Sequence, residues 1–133
     1  MKFCVLALDY DGTIAENGKP DSAVMKAIQG ARARGIVVVL VTGRVLSDLK
    51  KVAGDLDVFD AVVAENGAVL AFPNGRIRTL GRPPPQALLD ELSRHKVEFA
   101  AGDCLLAGVG TAGHLNANAR ERLRTGCDFE RGT

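Results

Sequence analysis

Two carboxylates, Asp9 and Asp11, follow directly on the apolar run that opens "FCVLALDYDGT" (residues 3–13), with Gly12 and Thr13 immediately after them. Acids at the end of a buried strand are costly unless something compensates for them. Gly12 permits a tight turn, so both side chains can be aimed at one site. One carboxylate could attack a phosphorus atom and form an acyl phosphate, the covalent strategy open to aspartate. The other could protonate the leaving oxygen and later activate water. A phosphate dianion repels an attacking carboxylate, so this chemistry calls for a cation, most simply Mg²⁺ on oxygen ligands. A second polar cluster, Thr42-Gly43-Arg44, closes another apolar run. The Thr42 hydroxyl and the N–H groups of a following helix start suit phosphoryl oxygens. A third cluster, Glu65-Asn66, ends a third run.

The elements that carry these clusters alternate. Residues 3–8 read as a strand buried on both faces, followed by a loop, "AENGKP". Asp21 or Ser22 caps a helix with Val24, Ala27, Ile28 and Ala31 at helical spacing, and Gly35 ends it. "IVVVLV" (36–41) is a second buried strand. Leu46, Leu49, Val52 and Ala53 outline a second helix that stops near Gly54, and "FDAVVAENG" is a third strand. A β-α-β-α-β order implies parallel strands joined by right-handed crossovers, hence an α/β, Rossmann-like parallel sheet. All three clusters then fall at the C-terminal edge of the sheet, where open α/β folds bind ligands.

After Gly67 the pattern changes. "AVLAF-PNG-RIRTL" predicts a β-hairpin, and "GRPPP" a stiff linker. A helix from about Pro85 to His95 follows, with Leu88, Leu89 and Leu92 inward, and "VEFAAGDCLLAGV" suits two short strands. The expected organisation is a core with its hairpin over 1–82, the start of an α+β cap over 83–110, and a poorly structured tail over 111–133.

The balance of the 133 residues, 47% hydrophobic with a formal net charge of +1, leaves no basic footprint for nucleic acid or an anionic membrane. The longest apolar run, 36–41, is far too short to span a bilayer. Cys4, Cys104 and Cys127 form no CxxC pair and leave one over, which fits a reduced, cytoplasmic setting. His95 and His114 have no spaced partners and read as surface residues.

"DYDGT" and "VTGR" resemble the first two motifs of the haloacid dehalogenase superfamily of phosphotransferases. "AENGAVL" resembles the segment found in its Cof-like, sugar-phosphate phosphatase branch, which carries a large cap after the third strand. The resemblance covers roughly residues 3–80. It implies Asp9 as nucleophile and Mg²⁺ ligand, and Asp11 as acid/base whose backbone carbonyl also meets the metal. It implies Thr42 as phosphate ligand with Gly43 and Arg44 beside it, and Asn66 lining the pocket. The substrate it implies is a small phosphorylated metabolite such as a sugar phosphate.

The family's third motif, a lysine, and its fourth, an acidic cluster, find no match. Gly102-Asp103 lacks a second acid and lies in the cap segment; Lys19, Lys50 and Lys51 precede the third strand, and Lys96 lies before any fourth core strand. The chain therefore reads as the first half of such an enzyme, truncated and impaired. Without later strands its first strand would be an apolar sheet edge open to pairing, so a homodimer or aggregation is expected unless the C-terminal segment covers that edge. Two rivals remain. A non-catalytic phosphate-binding or interaction module would use the same strand ends, and a phospho-accepting receiver domain shares the layout. The receiver domain expects its acid pair and acceptor aspartate on different strands. A calcium loop of the EF-hand kind would need a preceding helix and a later Glu, and has neither.

Overall fold

A computed structural model describes residues 4–108. Strand β1 (Val5–Asp9) leads into a tight loop in which the Tyr10 carbonyl accepts from the amides of Ile14 and Ala15, 3.0 and 2.9 Å away. Gly12, at φ +77°, supplies the left-handed step that this loop needs. Short strands β2 (Ala15–Glu16) and β3 (Lys19–Pro20) pair across Asn17-Gly18, both in the left-handed region. The segment predicted as a loop is thus a miniature hairpin, and Asn-Gly is the turn such hairpins favour. Helix α1 (Ser22–Ala33) begins at Asp21, whose Oδ1 accepts from the amides of Ala23 and Val24 at 2.7 and 3.1 Å. Gly35, at φ +79°, follows its end.

Strand β4 (Val37–Val41) runs parallel to β1, from Val5↔Val37 to Asp9↔Val41. Helix α2 (Leu46–Ala53) connects it to β5 (Ala61–Ala64), which is parallel to β4 on its other side. A 3₁₀ turn (Glu65–Gly67) reverses the chain into the antiparallel pair β6 (Val69–Ala71) and β7 (Ile77–Thr79), giving a sheet ordered β1-β4-β5-β6-β7. Helix α3 (Gln86–Arg94) and the hairpin β8 (Phe99–Ala101)/β9 (Leu106–Gly108) complete the described chain. The α/β class, the three parallel strands and the later hairpins agree with the sequence reading. The tail over 111–133, with His114 and Cys127, lies outside the described residues.

Burial corrects one expectation. The core gathers on one face of the sheet, where Val38, Leu40, Val62 and Val69 meet Ile28, Leu49 and Phe59. Residues on the opposite face stay open, Val5 at 57% exposure and Val37 at 44% among them. β1 and β4 are apolar at successive positions, which predicted burial on both faces, yet among the described residues only one face is covered. The helical stripes shift slightly too: Ala27 and Val52 are exposed, while Met25 packs against the core.

At the N-terminal end of β4 a polar clip joins three segments. Asp60 accepts from the Val38 amide (2.8 Å) and from Arg32 Nη2 (2.9 Å), and Arg32 Nη1 donates to the carbonyls of Asp57 and Val58, each 3.0 Å away. The Val38 N–H first, and Arg32 after it, hold the Asp60 carboxyl below the ordinary aspartate range.

Candidate active site

Asp9 ends β1 in register with Val41, and its side chain is exposed with no hydrogen-bond or ion-pair partner among the described residues. One residue past Val41, Thr42 is 3% exposed, fixed by its amide on the Val63 carbonyl (2.9 Å). Its Oγ1 accepts from the Arg44 amide at 3.1 Å, which leaves the hydroxyl proton to donate elsewhere. The turn at 42–44 is therefore folded on its own threonine before α2 begins.

The Arg44 guanidinium grips Asp11 with two edges: Nε lies 2.9 Å from Oδ2 and Nη2 lies 2.8 Å from Oδ1. Such forked pairs are the stronger class of charge-assisted bond. Arg44 also lies 5.5 Å from the centroid of the Tyr10 ring, and that ring's hydroxyl donates to the Gly18 carbonyl at 3.0 Å. The Arg44 bonds draw the Asp11 carboxyl below its ordinary range, and Asp11 in turn raises Arg44. Asn66 lies against the same turn: its amide donates to the Thr42 carbonyl at 3.3 Å, and a Cβ on Gly43 would stand 2.7 Å from Asn66 Oδ1. Only glycine at 43 leaves that side chain where it is.

The tertiary structure thus brings Asp11, Thr42, Gly43, Arg44 and Asn66 into direct or backbone contact. Asp9 stands at the adjacent strand end, its carboxylate exposed. Tyr10 beneath Arg44 had no signal in the sequence beyond its place between the two acids. Glu65, marked in the sequence only as part of the third strand-end cluster, is 1% exposed and accepts backbone N–H groups from two other segments. Gly102-Asp103, set aside as a metal motif, belongs to one of them. His95 is exposed, its Nε2 3.0 Å from Glu91 Oε1, a surface contact as expected.

Among the described residues no three His, Cys, Asp or Glu side chains gather as a metal cluster. The hard oxygens of the Asp9 carboxylate and the Asp11 carbonyl nevertheless suit Mg²⁺, which takes few protein ligands and fills its shell with water and phosphate oxygens.

The family profile of haloacid dehalogenase-like hydrolases matches residues 6–107, and the chain belongs to that family. It is 38% identical over 77 residues to a phosphoglycolate phosphatase of Methanothermobacter thermautotrophicus, covering 57% of this chain and 34% of that protein. It is 31% identical over 91 residues to a phosphoglycolate phosphatase of Aeropyrum pernix, covering 66% of this chain and 38% of that one. A haloacid dehalogenase-like hydrolase from B. subtilis shares the fold with a TM-score of 0.56 and 26% identity, over 74% of this chain and 37% of that one. The chain spans about a third of the length of the curated relatives it matches.

Proposed function

We propose that this chain carries the nucleophile and phosphate-binding half of a Mg²⁺-dependent phosphatase acting on small phosphorylated metabolites. The observation that carries the reading is the Asp9 carboxylate, without a partner among the described residues, beside a turn that presents Thr42 and Arg44. An Asp9 oxygen attacks phosphorus while the bond from phosphorus to the substrate oxygen breaks, leaving an aspartyl phosphate. Asp11 gives its proton to the leaving oxygen, then takes one from the water that attacks the aspartyl phosphate and releases inorganic phosphate. Thr42 donates its hydroxyl proton to a phosphoryl oxygen, and Asn66 faces the same turn. Mg²⁺, when bound through Asp9 and the Asp11 carbonyl, supplies positive charge that offsets repulsion between carboxylate and dianion.

The Arg44–Asp11 pair adds a requirement. A carboxyl drawn below its ordinary range holds no proton near neutral pH, so Asp11 is better placed to act as an acid once Arg44 has left it. An incoming phosphate dianion competes for that guanidinium, which binds phosphate and carboxylate with the same fork. Transfer of Arg44 to the substrate would free Asp11 to be protonated. The same pair favours a second reading, a phosphate-binding module without turnover, in which Asp11 stays held.

Hydrolysis of p-nitrophenyl phosphate with Mg²⁺, compared with Asp9→Asn, separates the two. Turnover abolished by the substitution supports the phosphatase. Asp9-dependent binding of phosphate or Mg²⁺ without turnover supports the module, and neither activity nor binding removes both.

A further inference from the structure

Glu65 sits where three segments meet, and its carboxylate is spent wholly inside the protein. Oε1 accepts from the Asp103 amide at 3.0 Å and, at 3.4 Å, from the Leu46 amide that opens α2. Oε2 accepts from the amides of Cys104 and Leu105 at 2.8 and 2.9 Å. Three successive N–H groups of the β8–β9 turn thus converge on one side chain, a backbone nest of the kind that binds anions. Val45, the residue before α2, makes no side-chain cap bond, and Glu65 places negative charge at that helix start instead. At Gly102 a Cβ would stand 2.3 Å from Oε1, so the turn can close on Glu65 only with glycine there.

The backbone around Glu65 reaches the other way, into the candidate site. Its amide donates to the Arg44 carbonyl (3.0 Å), and the next amide, that of Asn66, to the Thr42 carbonyl. Glu65 and Asn66 are both left-handed, at φ 54° and 55°, although neither is glycine. The left-handed conformation is strained for Glu65 and milder for asparagine, and the pair persists only where surroundings hold it. Four hydrogen bonds on one buried carboxylate are such surroundings.

We propose that Glu65 is a positioning residue: through its clamp on the 102–105 turn it fixes the left-handed pair, and through that pair it sets Asn66 and the 42–44 turn. The β8–β9 hairpin is by this account a structural part of the phosphate-binding edge, docked on it by "GDCL" (102–105). The consequence for phosphate rests on the phosphatase reading; the clamp itself does not.

The full chain is compared with Glu65→Gln and Gly102→Ala by amide exchange, amide NMR shifts and titration with inorganic phosphate. Glutamine turns an NH₂ toward N–H donors, and alanine at 102 expels the turn while leaving Glu65 in place. In both variants the amides of Asp103, Cys104 and Leu105 should exchange at least tenfold faster, while those of β4 and β5 keep their wild-type rates. The Gly43 and Asn66 resonances should shift, and phosphate affinity should fall about fivefold or more. Unchanged exchange at 103–105 in either folded variant overturns the clamp. Faster exchange there with unmoved Gly43 and Asn66 resonances overturns the positioning role. If one variant unfolds, the other decides. If the wild-type chain binds no phosphate, the phosphatase reading fails while exchange and shifts still judge Glu65.

Discussion

Arg44 and Asp11 are half open to solvent, with side chains 33% and 51% exposed, so their pairing bears on chemistry more than on stability. Pairing favours the deprotonated acid, so the attraction is complete above the ordinary aspartate range and is lost as pH falls through the depressed value. Arg44→Ala should bring the Asp11 titration back toward the ordinary range, read by carboxyl NMR against pH. An unmoved titration would mean the contact is not kept in solution. Gly43 gives a second test at this scale. In Gly43→Ala the new Cβ displaces Asn66 Oδ1, the end of a rotatable side chain, so the fold should change little. Thermal unfolding within a few degrees of wild type, with phosphate binding weakened severalfold, is the expected pair of results. Equal phosphate affinity would remove Asn66 from the pocket. Both contacts join residues far apart in the chain, so neither was legible in the sequence, although every residue involved had been marked by its motif.

Elements depend on polar ties that the apolar pattern does not reveal. The clip through Asp60 and Arg32 satisfies the first free amide of β4 and two loop carbonyls that would otherwise face a half-buried end. Asp60→Ala leaves the Val38 amide and Arg32 Nη2 without their acceptor and should destabilise the chain by about 1–3 kcal/mol in urea unfolding. Because the folded carboxyl titrates below its unfolded value of 3.8, its contribution is fully present above that value and is lost as pH falls through the folded one. The cost of Asp60→Ala should therefore shrink in acid; a cost independent of pH between 2 and 6 would contradict this account. Local signals served well where the interaction is local: Asp21 caps α1, and Gly35 and Gly54 end the helices in the left-handed region. The miniature β2–β3 hairpin could have been found from Asn17-Gly18, the turn dipeptide inside "AENGKP".

For the whole molecule the decisive feature is the sheet's open side. β1 pairs only with β4 among the described residues, and Val5, Leu6, Val37 and Val41 are exposed around it. An apolar edge with unpaired backbone groups recruits another strand. We expect the purified chain to self-associate through β1, with sedimentation giving a mass that rises with concentration. Val5→Lys should reduce that association. A monomer at all concentrations would show that β1 is covered in solution.

By itself the sequence determined the alternation of strand and helix, the strand ends at which polar residues cluster, and the acid pair of Asp9 and Asp11. These follow from periodicity, glycine punctuation and spacing along the chain, all local in their physics. Only the tertiary structure decided that Arg44 holds Asp11, that one face of β1 and β4 stays open among the described residues, and that Glu65 is satisfied by the 102–105 turn. Each is a contact between distant segments or a matter of what covers a surface. "GDC" looked like a stray fragment of a metal motif; folded, its amides meet a buried carboxylate, and that pairing joins the last described hairpin to the candidate site.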